Sequence, residues 1–287
     1  MAKGNLLLGT AGNSVGDVVM YRREGAQVSR VRVRKIKNPK TDAQSLQRAA
    51  FSPVAKFYSP LAVVLERSFE GLSKMKSYNK FLKTNIDLAR ANGWLLPKGT
   101  GFFPLPYQLS KGTLEPVNCV QQRTFMKIFV GAAFTENTTL STHALLSQAF
   151  VSAGYQNGDI VTLILGGMGA GVNSDWLANM HVGQFEIDTE SAKTLAEVLP
   201  GWRLNFVADG GYIRQTAPID ETGFCACIVA RFENDKWRRS TQFLQVDAEA
   251  IAMANSSEAQ AAAIASYGKN AGDPNPLVYL DGNTLEG

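Results

Sequence analysis

The chain has little of what secreted proteins and most hydrolases depend on. Its 287 residues include only three cysteines and two histidines. An odd, small number of cysteines argues against a disulfide framework and favours a reducing, cytoplasmic compartment. His143 and His181 stand in no HExxH pattern and accompany no Gly-x-Ser-x-Gly turn. We therefore expect a protein that is not an enzyme, with no catalytic residue, no metal ligand and no cofactor.

Long apolar runs are also missing. Near the N-terminus, Lys3 is followed only by Leu6, Leu7 and Leu8 before Gly9. That run is too short for a signal peptide, and no other stretch approaches the roughly 20 apolar residues of a membrane-spanning helix. The sequence predicts no membrane contact.

The charges are distributed unevenly. Residues 1–110 hold 18 Lys/Arg and 6 Asp/Glu, a formal charge of +12, whereas residues 111–287 hold 11 and 19, a charge of −8. Such asymmetry favours a polyanion as the partner of the basic half. Two alternatives stay open: the halves attract each other, within one chain or between copies, or the cations merely solvate exposed faces.

The basic charge is concentrated in a predicted β-hairpin. Side chains of a strand alternate between its faces, so in residues 28–34 the arginines point one way and Val31 and Val33 the other. Arginines on one face can pair with successive phosphates, and a tyrosine can stack on a base. The predicted nucleic-acid-binding residues are Tyr21, Arg22, Arg23, Arg30, Arg32, Arg34, Lys35 and Lys37. The alternative is an ordinary half-exposed hairpin whose cations protect an edge from aggregation.

The remaining patterns predict an α+β fold. Three helices are expected after the hairpin, over residues 42–51, 60–69 and 77–91, the last ended by Gly93. Short strands at regular spacing in the second half predict an antiparallel, sandwich-like domain. We place a basic hairpin-and-helices module at residues 1–95, a Pro/Gly-rich linker at 96–118 and an acidic, strand-rich domain at 119–287.

Three further motifs are weaker. Gly166–Gly171 follows a predicted buried strand as a phosphate loop does, but its glycine spacing fits no dinucleotide or Walker motif, so a flexible loop is expected. Cys225 and Cys227 share one strand face, which favours core thiols over a zinc site. Trp237 has basic neighbours around the Asn234-Asp235 turn. This group can bind single-stranded nucleic acid or a protein surface, or it can simply be the solvated tip of a hairpin.

One stretch resembles a known group of proteins. It carries Val15-Gly16-Asp17-Val18-Val19, Tyr21-Arg22, Asn38-Pro39-Lys40-Thr41 and Tyr78-Asn79-Lys80-Phe81. This order resembles an uncharacterised family, a domain of unknown function, of gut-bacterial and small-phage proteins that share a basic N-terminal β-plus-helix module. The resemblance implies no catalytic residue. It implies a phage-encoded protein of the host cytoplasm or the virion, for which single-stranded DNA is the natural polyanion.

These observations together predict a non-enzymatic nucleic-acid-binding protein that favours single-stranded DNA. The alternative is a structural component of a virion or another assembly, a homo-oligomer in which the basic module contacts acidic surfaces of neighbouring copies.

Overall fold

The computed structural model describes residues 13–15, 17–23, 26–31, 41–122, 125–131, 137–170, 176–200, 206–215 and 222–268. The chain divides into two compact units, Met1–Lys40 and Thr41–Gly287. The first unit holds nine Lys/Arg and two Asp/Glu, a formal charge of +7, and the second holds 20 and 23, a charge of −3. The excess of positive charge therefore belongs to the first unit.

The described part of the first unit is a three-stranded antiparallel sheet. Strands β1 (Asn13–Val15), β2 (Val18–Arg23) and β3 (Ala26–Val31) follow one another as neighbours. The register of β2 and β3 places Val18 opposite Val31 and Arg23 opposite Ala26. The predicted basic hairpin is confirmed as a hairpin over these residues.

The second unit combines helices with many short strands, which confirms the predicted α+β class. Its helices are α1 (Asp42–Leu61), α2 (Lys74–Asn92), α3 (His143–Ser152), α4 (Leu195–Val198), α5 (Ala248–Asn255) and α6 (Ser257–Ala265). Its strands are β4 (Gln108–Ser110), β5 (Cys119–Gln122), β6 (Phe125–Phe129), β7 (Thr138–Leu140), β8 (Ile160–Ala170), β9 (Trp176–Glu186), β10 (Phe206–Asp209), β11 (Tyr212–Gln215), β12 (Thr222–Glu233), β13 (Lys236–Arg239), β14 (Gln242–Phe243) and β15 (Gln245–Val246).

Most of these strands form two antiparallel sheets. An outer sheet has the order β5-β6-β11-β10-β7, and a central sheet has the order β13-β12-β8-β9, with β15 also paired to β12. A short ladder joins β4 to β14. The two larger sheets share a core, as the predicted sandwich requires.

The central sheet is buried on both faces because β8 and β12 are apolar at nearly every position. Leu163, Cys225 and Cys227 face the outer sheet, where they join one hydrophobic core. Ile164 and Ala226 alternate onto the opposite face and join a second core with α1 and α2. The second unit is therefore built in three layers, of helices, central sheet and outer sheet.

This layering contradicts the predicted domain boundary. Residues 96–118 were expected to be a linker, but Leu96, Phe103, Leu105, Tyr107 and Leu109 are at most 2% exposed. A large apolar side chain contributes about 1.5–3 kcal/mol when fully buried, so five of them outweigh the flexibility that the prolines and glycines suggested. The helices, residues 96–118 and the strands form one unit, and the division between the two units falls after Lys40 instead.

The first helix is also longer than predicted. Thr41 caps α1, and its side-chain oxygen accepts a hydrogen bond from the Gln44 N–H at 3.4 Å. The helix was expected to end before Pro53, yet it continues through it. Pro53 has no N–H for the carbonyl of Ala49, and that carbonyl accepts instead from the Leu96 N–H at 3.4 Å. The backbone of Leu96 thus replaces the hydrogen bond that Pro53 cannot donate.

Residues 62–73 contain less helix than predicted. The apolar spacing of residues 60–69 predicted a helix there, but α1 ends at Leu61 and turns follow. The C-terminus of α2 is as predicted, with Gly93 in the left-handed conformation at φ 70°. Within the residues that the structure describes, no helix is both long enough and apolar enough to cross a membrane.

The loop after β4 fits tightly against the end of β13. The Gly112 N–H donates to Thr241 Oγ1 at 3.2 Å, and the Leu114 N–H donates to the Arg239 carbonyl at 3.0 Å. A Cβ on Gly112 would lie 2.1 Å from that carbonyl oxygen and 2.6 Å from Glu70 Oε2. Only glycine fits at this position without moving backbone.

We expect Gly112→Ala to lower the free energy of unfolding by about 2 kcal/mol, the usual cost of forcing an atom into a packed interior. Gly101→Ala is the control, because a Cβ there meets no atom within 4 Å and surface changes of this kind stay within about 0.5 kcal/mol. Urea unfolding followed by circular dichroism measures both. Equal midpoints for the two variants would contradict the tight contact.

Candidate nucleic-acid interface

The described hairpin brings two of the predicted binding residues together. Tyr21 lies opposite Val28, and Arg30 is two residues further along the same face. The guanidinium carbon of Arg30 lies 5.8 Å from the centroid of the Tyr21 ring, within the range of a cation–π contact. Tyr21 is 39% exposed, and Arg30 is exposed as well. We call Val19, Tyr21, Val28 and Arg30 the hairpin face.

No ion pair is described for Arg30 within the part of the chain that the structure gives. The three ion pairs described, Lys74 with Glu66, Arg231 with Asp159 and Arg238 with Glu233, do not involve Arg30. An arginine side chain stays protonated at any physiological pH. The hairpin face therefore presents a positive charge beside an aromatic ring.

Arg22 lies on the other side of the hairpin. It is paired with Gln27, and strand alternation places it on the face of Met20 and Val31. Sequence reasoning treated Arg22 as a neighbour of the arginine row because it considered distance along the chain and not the register. Arg22 is exposed, but it does not belong to the hairpin face.

The other predicted contacts are only partly described. Arg23 is paired with Ala26 at the end of β2, and its side chain lies outside the described residues. Arg32, Arg34, Lys35 and Lys37 lie outside the described residues entirely. Their part in a binding surface stays a prediction.

A second exposed aromatic group lies in the second unit, at the end of the β12–β13 hairpin. Phe232 is opposite Trp237, and the ring centroids are 5.2 Å apart. These side chains are 56% and 37% exposed. The guanidinium carbon of Arg239 lies 5.2 Å from the centroid of the Trp237 ring. We call Phe232, Trp237 and Arg239 the aromatic tip.

Glu70 organises the base of the aromatic tip. Its carboxylate accepts hydrogen bonds from the Thr113 N–H at 2.9 Å, the Thr113 hydroxyl at 3.1 Å and the Arg239 N–H at 3.2 Å. Burial raises the pKa of Glu70, but these hydrogen bonds and the charge of Arg238 together lower the pKa by more than burial raises it. Glu70 thus holds the backbone of Arg239 and of the loop after β4.

Sequence reasoning missed this arrangement because its members are far apart in the chain. The Arg239 N–H and the Glu70 carboxylate are separated by 169 residues. No periodicity or motif connects them, and only the packing of the helices on the central sheet brings them together. The aromatic and basic residues of the tip itself were recognisable from the Asn234-Asp235 turn.

A polar cavity of about 470 Å³ lies at another edge of the second unit. Its lining includes His143, Asn157, Glu186, Asp188, Ser191, Lys193 and Glu197. The Nε2 atom of His143 lies 2.7 Å from the Glu186 carbonyl, which can only accept, so Nε2 carries the proton. Among the described residues Nδ1 has no hydrogen-bond partner. Within the described part of the chain, His143 is therefore bonded to no hydroxyl, thiol or carboxylate that would form a catalytic pair with it.

The glycine-rich motif is not a loop over its described part. Strand β8 runs through Gly166 to Ala170, and Gly167 pairs with Gly223 of β12 and with Asn179 of β9. The expected flexible loop is wrong for these residues, and so is the likeness to a phosphate loop. Their backbone groups belong to the ladders of the central sheet, which leaves no cradle for a phosphate there.

The cysteines belong to the core that the two sheets share. Cys119, Cys225 and Cys227 are buried free thiols, with 3.3 Å between the sulfurs of Cys119 and Cys225. Burial is the main cause that raises the pKa of the Cys225 and Cys227 thiols well above the usual value. Among the described residues, no group of three or more His, Cys, Asp or Glu side chains is placed to hold a metal ion.

We expect Glu70→Gln to destabilise the protein at pH 7 by about 1 kcal/mol, because an amide oxygen is a weaker acceptor than a carboxylate. A carboxylate with a lowered pKa in the folded state stabilises above its unfolded pKa of about 4.5. That contribution disappears as the pH falls through the folded value. The difference between wild type and variant should therefore shrink from pH 5 to pH 3 in urea unfolding. Glu190→Gln, at an exposed site, is the control; a constant difference at all pH values would contradict the role of Glu70.

Comparison with known proteins finds one family. Residues 9–94 match the model of a family of unknown function, DUF6266. No curated protein and no solved structure matches the chain. The matched segment spans the hairpin unit and both long helices, and it ends at Trp94, just after α2. The resemblance to an uncharacterised family is thus confirmed for this segment, which is similar to a domain of unknown function.

Proposed function

We propose that the protein binds single-stranded nucleic acid without catalysing a reaction on it, and that the hairpin face makes the contact. The observation that carries this proposal is the pairing of Tyr21 with Arg30. The ring and the guanidinium lie 5.8 Å apart on one exposed face. An aromatic ring with an adjacent cation is how many proteins hold one nucleotide, because the ring stacks on the base and the cation meets the phosphate.

The charge of the first unit supports a polyanion. Nine Lys/Arg against two Asp/Glu give Met1–Lys40 a formal charge of +7. Each phosphate contact releases condensed counterions from the nucleic acid, so such a unit gains affinity as the salt concentration falls. The second unit, at −3, contributes no comparable general attraction.

The aromatic ring supports a single strand over a duplex. In a duplex the base faces are stacked on one another, so Tyr21 could reach only the backbone and the groove edges. In a single strand every base offers a free face, and stacking on an aromatic ring contributes about 1–3 kcal/mol per base with little sequence preference. Among single strands DNA is the form we propose, following the family resemblance.

The hairpin offers an internal control for this proposal. Arg22 and Arg30 are both exposed arginines of the same hairpin, and they lie on opposite faces. A general attraction by charge would involve both equally. Recognition by the hairpin face would involve Arg30 much more than Arg22.

We expect Arg30→Ala to weaken binding of a labelled 20-nucleotide oligothymidylate by about three- to tenfold in fluorescence anisotropy. It should also make the log–log dependence of affinity on salt less steep by about 0.7, since one phosphate contact is lost. Tyr21→Ala should weaken binding by at least fivefold with an unchanged salt slope, since stacking is not an ionic contact. Arg22→Ala should have less than half the effect of Arg30→Ala, measured as the loss of binding free energy.

Two outcomes would overturn the proposal. One is wild-type binding that is absent or indifferent to salt. The other is equal loss of affinity in the Arg22 and Arg30 variants. Should the chain instead self-associate at low salt without binding the oligonucleotide, the opposite charges of its two units would favour the assembly component in its place.

A further inference from the structure

The end of the β12–β13 hairpin extends past the ladder that anchors β12 to β8. The last pair between β12 and β8 is Ala230 with Ile160, whereas the pairs with β13 continue to Glu233. Asn234 and Asp235 turn the chain with φ of 52° and 58°, as a two-residue hairpin turn of the type I′ requires. Among the described strands, residues 231–233 therefore pair with β13 alone, as a two-stranded ribbon.

One face of this ribbon is the aromatic tip. Phe232 and Trp237 form a cross-strand pair of a kind that stabilises hairpins. That role explains why the two rings contact each other. It does not explain why the two side chains remain 56% and 37% exposed. The opposite face differs, because Arg231 there binds Asp159 through two hydrogen bonds of 2.7 Å. Only one face of the described ribbon thus combines exposed rings with a guanidinium that forms none of the described ion pairs.

The guanidinium of Arg239 is only partly satisfied by the described residues. The Nε atom of Arg239 is buried and has no hydrogen-bond partner among the described residues. The hydrogen bonds described for the nearby Glu70 carboxylate go to backbone N–H groups and a hydroxyl, and none goes to the Arg239 guanidinium. Burial, and next the charge of Arg67, lower the pKa of Arg239, while the charge of Glu70 raises it. The positive charge of Arg67 therefore acts on the guanidinium of Arg239.

The backbone conformation of Arg67 is a further observation in favour of a binding role. Arg67 is exposed and has φ of 56°, a left-handed conformation that few non-glycine residues adopt. Glycine would relieve this strain, but it would remove the positive charge that acts on Arg239. Residues held in this conformation cluster at functional sites.

We propose that the aromatic tip is a second binding site for single-stranded nucleic acid, separate from the hairpin face. A base stacks on Trp237 and Phe232, and a phosphate of the same strand binds Arg239 and Arg67. This inference rests on the proposed function, because it names the same class of ligand at another surface.

The chemistry of the tip favours a nucleotide over an acidic peptide. An acidic peptide would use the two guanidinium groups but would leave the exposed rings without a planar partner. A nucleotide unit uses both, because its base has a flat π-face and its phosphate matches the fork of an arginine. The test below therefore distinguishes binding of an acidic peptide from binding of a nucleotide.

The test measures binding of labelled oligothymidylate to the full chain between 50 and 300 mM NaCl. Trp237→Val keeps an apolar β-former opposite Phe232 but removes the stacking surface. We expect it to weaken binding at least fivefold at every salt concentration, with an unchanged salt slope. Phe51→Ala is the control, because it removes a ring that is 42% exposed on α1; its affinity should equal that of wild type.

A second measurement covers the case in which Trp237→Val disturbs the ribbon. Wild-type tryptophan fluorescence should be quenched on addition of oligothymidylate, and Trp237→Phe should lose that quenching while it keeps a ring in the hairpin. Wild-type binding that survives in Trp237→Val, with equal quenching in wild type and Trp237→Phe, would overturn the second site and leave the hairpin face intact. Absence of all oligonucleotide binding would overturn both proposals. Displacement of the oligonucleotide by polyglutamate at equal charge concentration would show a protein partner and overturn the nucleotide assignment.

Discussion

The second unit depends on one constraint, the burial of β8 and β12 on both faces. Leu163 and Cys227 pack against the outer sheet, while Ile164 and Ala226, their neighbours in sequence, pack against α1 and α2. A strand with two buried faces needs a cover on each side, because an exposed apolar face of that size would promote association. The helices are therefore not a separate module. They are the cover that the central sheet requires, and residues 94–109 complete it.

This constraint also decides where recognition can occur. The interior of the central sheet is filled by apolar side chains, and its cysteines and glycines are structural there. The ends and edges of the described sheets remain available, and they include the β12–β13 ribbon in the second unit and the small hairpin of the first unit. Both expose an aromatic ring with a guanidinium within 6 Å of its centroid. An aromatic ring with an adjacent guanidinium thus occurs in a hairpin of each unit.

The alternation of side chains along strands, and single residues that end helices, predicted several of these elements from the sequence. Alternation identified the hairpin of Tyr21 and Arg30, Gly93 identified the end of α2, and the thiols of Cys225 and Cys227 were expected in a core. What failed depended on tertiary contacts. Pro53 signalled a helix end, but the Leu96 N–H takes up the carbonyl that the proline leaves unbonded. The prolines and glycines of residues 96–118 signalled a linker, but the aromatic side chains between them fill the core. The link from Glu70 to Arg239 has no local signal at all.

The most direct test of this account is hydrogen–deuterium exchange of the full chain, with and without oligothymidylate. We predict new protection in peptides that cover residues 18–31 and 231–239. Residues 160–165 and 224–229 should exchange slowly in both conditions, because they lie in the doubly buried strands and open only with the whole unit. Fast exchange in those strands would contradict the shared core. New protection around the cavity of His143, with none in the two hairpins, would contradict the assignment of the binding surfaces.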